Sequence, residues 1–242
     1  MIDYTQIKEI RNYLLTKKLP IDILLEVQDH FISQISTIQQ EEDLDFTTAF
    51  TTVKESWRKE LTLSWKGEGS LMDSTDLMRK MRKQIYWENF RSSLKLTIPY
   101  ILMLFVIANF TNSKFFQLFF IVSMVVPFLF AAINYIKNYK DFRLPKKVGD
   151  HILTLHQDGV LLFFLVISPF INVLNSYFNN SLEFQKMFSM KLPLQESYSM
   201  LITFLSLLLM FGGISYSLVC QKNYLQQIKI VKPFLKYLEK NS

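Results

Sequence analysis

The chain has 242 residues, half of them hydrophobic and 15% aromatic, with only 20% charged and six glycines, a balance that suits a membrane protein better than a water-soluble enzyme. A single cysteine, Cys220, excludes an internal disulfide framework and a multi-cysteine zinc site. The net charge of +6 is uneven: residues 1–72 hold 8 Lys/Arg against 12 Asp/Glu, whereas residues 73–242 hold 19 against 9.

The N-terminus does not read as a secretory signal, because Asp3, Lys8, Glu9 and Arg11 interrupt any apolar run. Residues 1–66 predict a small helical domain, a three-helix bundle. Its first helix covers roughly 3–16, with Ile7, Ile10, Tyr13 and Leu14 at three- and four-residue spacing. "TKKLP" breaks it, and Pro20 suits the first turn of a second helix over about 20–38. The apolar line of that helix is Ile23/Leu24, Val27, Phe31, Ile35 and Ile38. After the acidic "QQEEDLD", Asp45 suits the N-cap of a third helix with a stripe of Phe46, Ala49, Phe50, Val53, Trp57 and Leu61.

"KGEGS" then marks a linker. Residues 73–93 predict a basic amphipathic helix, capped by Asp73 or Ser74, that leads straight into the first apolar segment; the whole of 67–95 is linker and amphipathic helix. Four charge-free windows follow: 18 residues between Lys95 and Lys114, 22 between Lys114 and Lys137, 24 between Asp158 and Glu183, and 25 between Glu196 and Lys222. A helix rising about 1.5 Å per residue needs about 20 apolar residues to cross a bilayer, and a charge at its centre costs about 2.5–3.5 kcal/mol. The windows therefore predict four transmembrane helices within 96–221, at about 96–112, 115–136, 159–178 and 198–220. The tail, 222–242, carries Tyr224, Leu225, Ile228, Val231, Leu235 and Leu238 among lysines, with Pro233 interrupting it.

Orientation follows from Lys and Arg. Sixteen flank the segment before the first span, the loop between spans 2 and 3, and the tail; three, Lys114, Lys186 and Lys191, lie in the other loops. Both termini are expected in the cytoplasm of a multi-pass protein of the cell (inner) membrane. The fold class expected is all-α: a cytoplasmic three-helix bundle followed by a four-helix transmembrane domain.

"IKEIRNYLLTKKLP", "EVQDHF" and "FTTAFTTVKESWRKEL", in that order, resemble the small helical HAAS-type domain, over about 60 of the 242 residues. The resemblance implies a bacterial membrane protein whose N-terminal domain precedes transmembrane helices and which accompanies a PadR-like transcription regulator.

Chemistry is sparse. There is no Gly-rich phosphate loop, His-Glu-x-x-His, Gly-x-Ser-x-Gly or paired-cysteine motif, so no catalytic residue, cofactor or metal is expected and the chain is not read as an enzyme. Glu26, Asp29 and His30 lie within five positions of the second helix, beside its apolar line. With no third ligand in view for a metal, they are the candidate surface for a protein partner. The acidic head argues against direct nucleic-acid binding and favours a basic protein surface. His151 and His156 fall in the loop between spans 2 and 3, read as a solvated helix on the membrane. Within the spans, Asn109, Asn134, Asn172 and Asn175 are candidate interhelical polar contacts, Pro99, Pro127 and Pro169 candidate kinks, and Gly212–Gly213 a close helix approach. Two readings stay open. One is a membrane protein in contact with lipid whose head binds a cytoplasmic protein. The other is a transport subunit whose spans, as a homo-oligomer, form a path lined by those asparagines.

Overall fold

The computed structural model describes residues 2–65, 73–148, 152–189 and 197–238, with 197–200 and 236–238 described by their backbone alone. Among the described residues the fold is all-α apart from one two-residue strand pair, and four stretches are long and apolar enough to cross a membrane: Asp76–Phe110, Ser113–Lys137, Leu155–Asn179 and Leu201–Leu235. The chain divides into two compact units. One comprises Met1–Tyr86, Arg143–Leu155 and Leu225–Ser242; the other comprises Trp87–Phe142 and His156–Tyr224.

In the first unit, α1 (Tyr4–Leu15) opens with a capping box: Asp3 Oδ1 accepts the Gln6 N–H at 2.7 Å, and Gln6 Oε1 accepts the Asp3 N–H at 2.9 Å. α2 (Ile21–Glu42) follows Pro20 at its N-cap and ends at Asp43, in the left-handed region at φ 51°, four residues beyond the end expected from the sequence. α3 (Phe46–Ser56) starts with Asp45 accepting the Thr48 N–H at 3.2 Å. The expected third helix is interrupted: Trp57 ends α3, and α4 (Arg58–Leu61) is a single further turn. α2 packs against both α1 and α3. Ile10, Leu14, Leu24, Phe31, Phe50 and Val53 are buried between these helices, and Phe31 touches the rings of Tyr13, Phe50 and Trp57.

β1 (Leu63–Ser64) pairs antiparallel with β2 (Ser74–Thr75), after which α5 runs unbroken from Asp76 to Phe110. Neither Asp73 nor Ser74 caps α5. Ser74 is taken up in the strand pair, and the Thr75 hydroxyl accepts the Met78 N–H at 3.1 Å instead. Arg79 is an internal strut rather than a free surface charge: its guanidinium donates to Asp76 Oδ1, the Ser64 carbonyl, the Ser64 hydroxyl and the Ser74 hydroxyl.

Two segments remote in sequence complete this unit. Ile152 and Leu153 lie outside any helix or strand, and their carbonyls accept the Ile21 and Asp22 N–H groups at 2.9 and 3.2 Å. The first-turn donors of α2, which have no partner within their own helix, are thus satisfied by residues some 130 positions on. The reading of this loop as a solvated helix is therefore corrected: Leu153, Thr154 and Leu155 are buried, while His151 lies outside the described residues. The end of α11 (Ser197–Leu238) supplies the other segment, burying Ile228, Val231, Phe234 and Leu235. The Arg11 guanidinium sits 4.9 Å from the centre of the Phe234 ring and donates to Gln28 at 3.2 Å. Pro233 does not end α11, contrary to expectation; it lies on the exposed side of a helix that continues to Leu238.

The second unit holds most of the apolar length. α5 turns at Thr111–Asn112 into α6 (Ser113–Lys137), whose cap is Asn112 accepting the Phe115 N–H at 2.9 Å. α7 (Tyr139–Phe142) follows, and a 3-10 turn (Leu144–Lys147) then belongs to the first unit. The third apolar stretch is not one helix. A 3-10 turn (Leu155–Gly159), α8 (Leu162–Leu165) and α9 (Ile167–Asn179) succeed one another, with the break at Val166. Pro169 sits in the first turn of α9, where its missing N–H breaks no helical hydrogen bond, whereas Pro99 and Pro127 lie inside α5 and α6. An amphipathic helix unforeseen from the sequence, α10 (Ser181–Phe188), packs on α6 and α9 and buries Phe184 and Phe188. Gly213 is where a close approach occurs: a Cβ there would lie 2.5 Å from Val166 Cγ1, while Gly212 faces open space.

Candidate functional site

Glu26, Asp29 and His30 are all exposed on α2. The amphipathic pattern explains this: Val27 and Phe31 turn the same helix segment inward, so residues beside that line face water. The His30 ring centre lies 6.4 Å from that of Trp57, and Trp57 Nε1 donates to Gln34 at 2.9 Å. The three residues thus form an acidic face with a half-buried indole at its edge. Among the described residues no group of three or more His, Cys, Asp or Glu is placed to hold a metal.

Asp22, at the start of α2, is a different kind of carboxylate. Burial pushes its pKa up, against the lowering effect of hydrogen bonds from Thr154 and from the Ile23 N–H, with Glu26 nearby adding to the rise. Asp45 behaves in the opposite way, because hydrogen bonds from Thr48 hold its carboxyl below the ordinary range.

In the second unit, the four asparagines expected to join helices are placed differently from one another. Asn134 Nδ2 donates to Gln221 Oε1 on α11 at 2.7 Å, and Gln221 Nε2 donates on to the Val160 carbonyl at 3.2 Å. Asn109 donates to the Phe105 carbonyl of its own helix and is exposed, so it is an intrahelical group rather than an interhelical contact. Asn172 and Asn175 are exposed on α9.

One well-connected polar group of this unit is one that sequence reasoning missed. Asn89, 2% exposed on α5, has Nδ2 at 3.2 Å from His156 Nδ1 and 3.4 Å from Cys220 Sγ, and its Oδ1 accepts from Asn223 Nδ2 at 2.9 Å. The amide thereby links α5, the 155–159 turn and α11. With Nδ2 as donor, His156 Nδ1 is the acceptor, which puts the ring proton of the neutral imidazole on Nε2. Cys220 is tightly enclosed, since a Cβ at Gly159 would overlap its sulfur. Gln185 does similar work at the other end of α5, donating to the carbonyls of Ala108 and Thr111. The available signal was an amide embedded in "YWENF" and another in "EFQKMF", each next to aromatic residues.

The interior of this unit is otherwise apolar and largely aromatic: Phe116, Phe120, Phe163, Phe184 and Phe188 form one cluster with Met124 and Met210. Comparison with protein-family models, with curated proteins and with solved structures finds no match.

Proposed function

We propose that the chain is a multi-pass protein of a bacterial cell membrane, both termini cytoplasmic, whose N-terminal three-helix bundle binds a cytoplasmic protein and serves a regulatory role. The partner best matched to the resemblance of the head is a PadR-like transcription regulator. The observation that carries this reading is the makeup of the first unit. It gathers the N-terminal helices, the 143–155 segment and the 225–242 segment into one body, which a bilayer cannot divide. Apolar stretches that cross between these segments therefore cross in pairs, in keeping with the shared basic flanks of all three. The exposed Glu26, Asp29 and His30 supply a face for a basic partner. The transport reading has less support, because Asn134 is tied to Gln221 and the interior of the single chain is filled by phenylalanine.

The test is co-expression of the full chain with a PadR-like regulator, followed by detergent extraction and purification on the membrane protein. The regulator is expected to be retained by the native chain and lost from the Glu26→Arg, Asp29→Arg double variant. Absence of retention, or equal retention by both, would sink the proposal.

A further inference from the structure

A groove of about 340 Å³ opens on the second unit between the start of α6 and the end of α9, lined by Lys114, Gln117, Leu118, Ile121, Tyr177, Phe178 and Ser181. Its chemistry changes along its length. Lys114, Gln117, Leu118 and Ile121 are spaced i, i+3, i+4 and i+7, so they form one stripe of α6. Over those seven residues the helix advances about 10 Å. The wall is cationic and amide at one end and purely aliphatic at the other. Leu118 and Phe178 are more than half exposed on the apolar side.

The polar end is arranged for an anion. Lys114 is the one Lys or Arg between Lys95 and Lys137, and among the described residues no carboxylate pairs with it. Gln117 Nε2 donates to the Ser181 hydroxyl at 3.0 Å, which fixes both groups and leaves the Ser181 hydroxyl hydrogen and the second Gln117 amide hydrogen as donors. An ammonium and two neutral donors thus line the same groove where the apolar length of α6 begins.

We propose that this groove is a binding site for one membrane phospholipid, its phosphodiester on Lys114, Gln117 and Ser181 and an acyl chain along Leu118, Ile121 and Phe178. A free phosphate would leave the exposed aliphatic wall without a role, whereas a lipid covers both ends at once. The site rests on the membrane reading of the chain and is independent of what the head binds.

The experiment is native mass spectrometry of the full chain released from detergent micelles supplemented with a phosphatidylglycerol, a diacylglycerol or inorganic phosphate. The native chain is expected to retain one phosphatidylglycerol and neither other additive. Lys114→Gln should weaken that retention about five-fold, Lys114→Arg should keep it, and Lys186→Gln, outside the groove, should leave it unchanged. Lys114 is exposed, so its replacement does not disturb the interior. Equal retention by Lys114→Gln overturns the site, as does equal retention of diacylglycerol, which would mean apolar contact alone. Occupancy by inorganic phosphate overturns it in favour of a free anion. Vesicle flotation of the same preparations separates the two levels: a chain that does not float with vesicles overturns the membrane reading itself, whereas one that floats but holds no lipid overturns only the groove.

Discussion

The two compact units bury opposite things. In the first, charged residues face water and Phe31, Leu24 and Ile10 are withdrawn from it. In the second, Phe110, Phe130, Leu165 and Leu209 are among the most exposed side chains, while Asn89, Ser217 and Gln221 are buried. Water drives apolar groups together in the first case. Against hydrocarbon that drive is absent, and packing and hydrogen bonds hold helices together. An apolar residue at helical spacing thus marks a contact in the head, whereas in the spans the contacts include polar residues such as Asn89 and Asn134, though not Asn109, Asn172 or Asn175.

The largest expected effect tests this contrast directly. Phe31→Ala should cost the first unit about 3–5 kcal/mol, whereas Phe120→Ala, equally buried, should cost the second unit less because no hydrophobic transfer is lost when lipid replaces the ring. Amide hydrogen exchange of the full chain in detergent resolves the two; equal losses would break the comparison. Next is Asn89→Leu, which removes the links to His156, Cys220 and Asn223 at once and leaves buried polar atoms unsatisfied, for about 1–3 kcal/mol in a denaturing-detergent titration. Smaller again, Asn134→Leu should lose roughly 0.6–1.7 kcal/mol by the same titration. Asn109→Leu, which breaks only an exposed bond within α5, should lose less than that.

The smallest effects are those of pH on the head. Asp45 has a depressed folded pKa, so its stabilisation is present above the ordinary carboxylate range and disappears as pH falls through the folded value. Asp22 has a raised one, so its contribution is greatest in acid and is lost as pH rises from the ordinary value through the folded value. Asp45→Asn and Asp22→Asn should therefore flatten opposite flanks of the head's stability profile, read by circular dichroism of the full chain between pH 3 and 7. Changes on the same flank would contradict the assignments.

The same contrast explains what was legible in the sequence. The stripes of α1, α2 and α3 were, because a periodic face in water has one use. The four apolar stretches were, from length alone. The partners of the stripes were not. Ile228 and Val231 read as an amphipathic tail, but such a face is satisfied equally by lipid or by protein, and nothing in its spacing points to the head. Leu153 and Leu155 were obscured by charged neighbours. The break at Val166 and the helix α10 were hidden because short apolar runs in "GVLLFFLVISPF" and "SLEFQKMF" carry no marker of where one helix stops. Asn109 and Asn134 look alike as letters; only the register of α6 against α11 makes one of them a bridge.

The discontinuity of the first unit has a consequence for biosynthesis. Its N-terminal helices leave the ribosome first, yet the residues that cover the start of α2 come some 130 positions later, and Ile228 and Val231, buried in the same unit, come last. The head therefore waits, incomplete, through the insertion of every apolar stretch, and contacts of such high sequence separation close slowly. A chain truncated before residue 152 therefore lacks both of the later segments that complete the first unit.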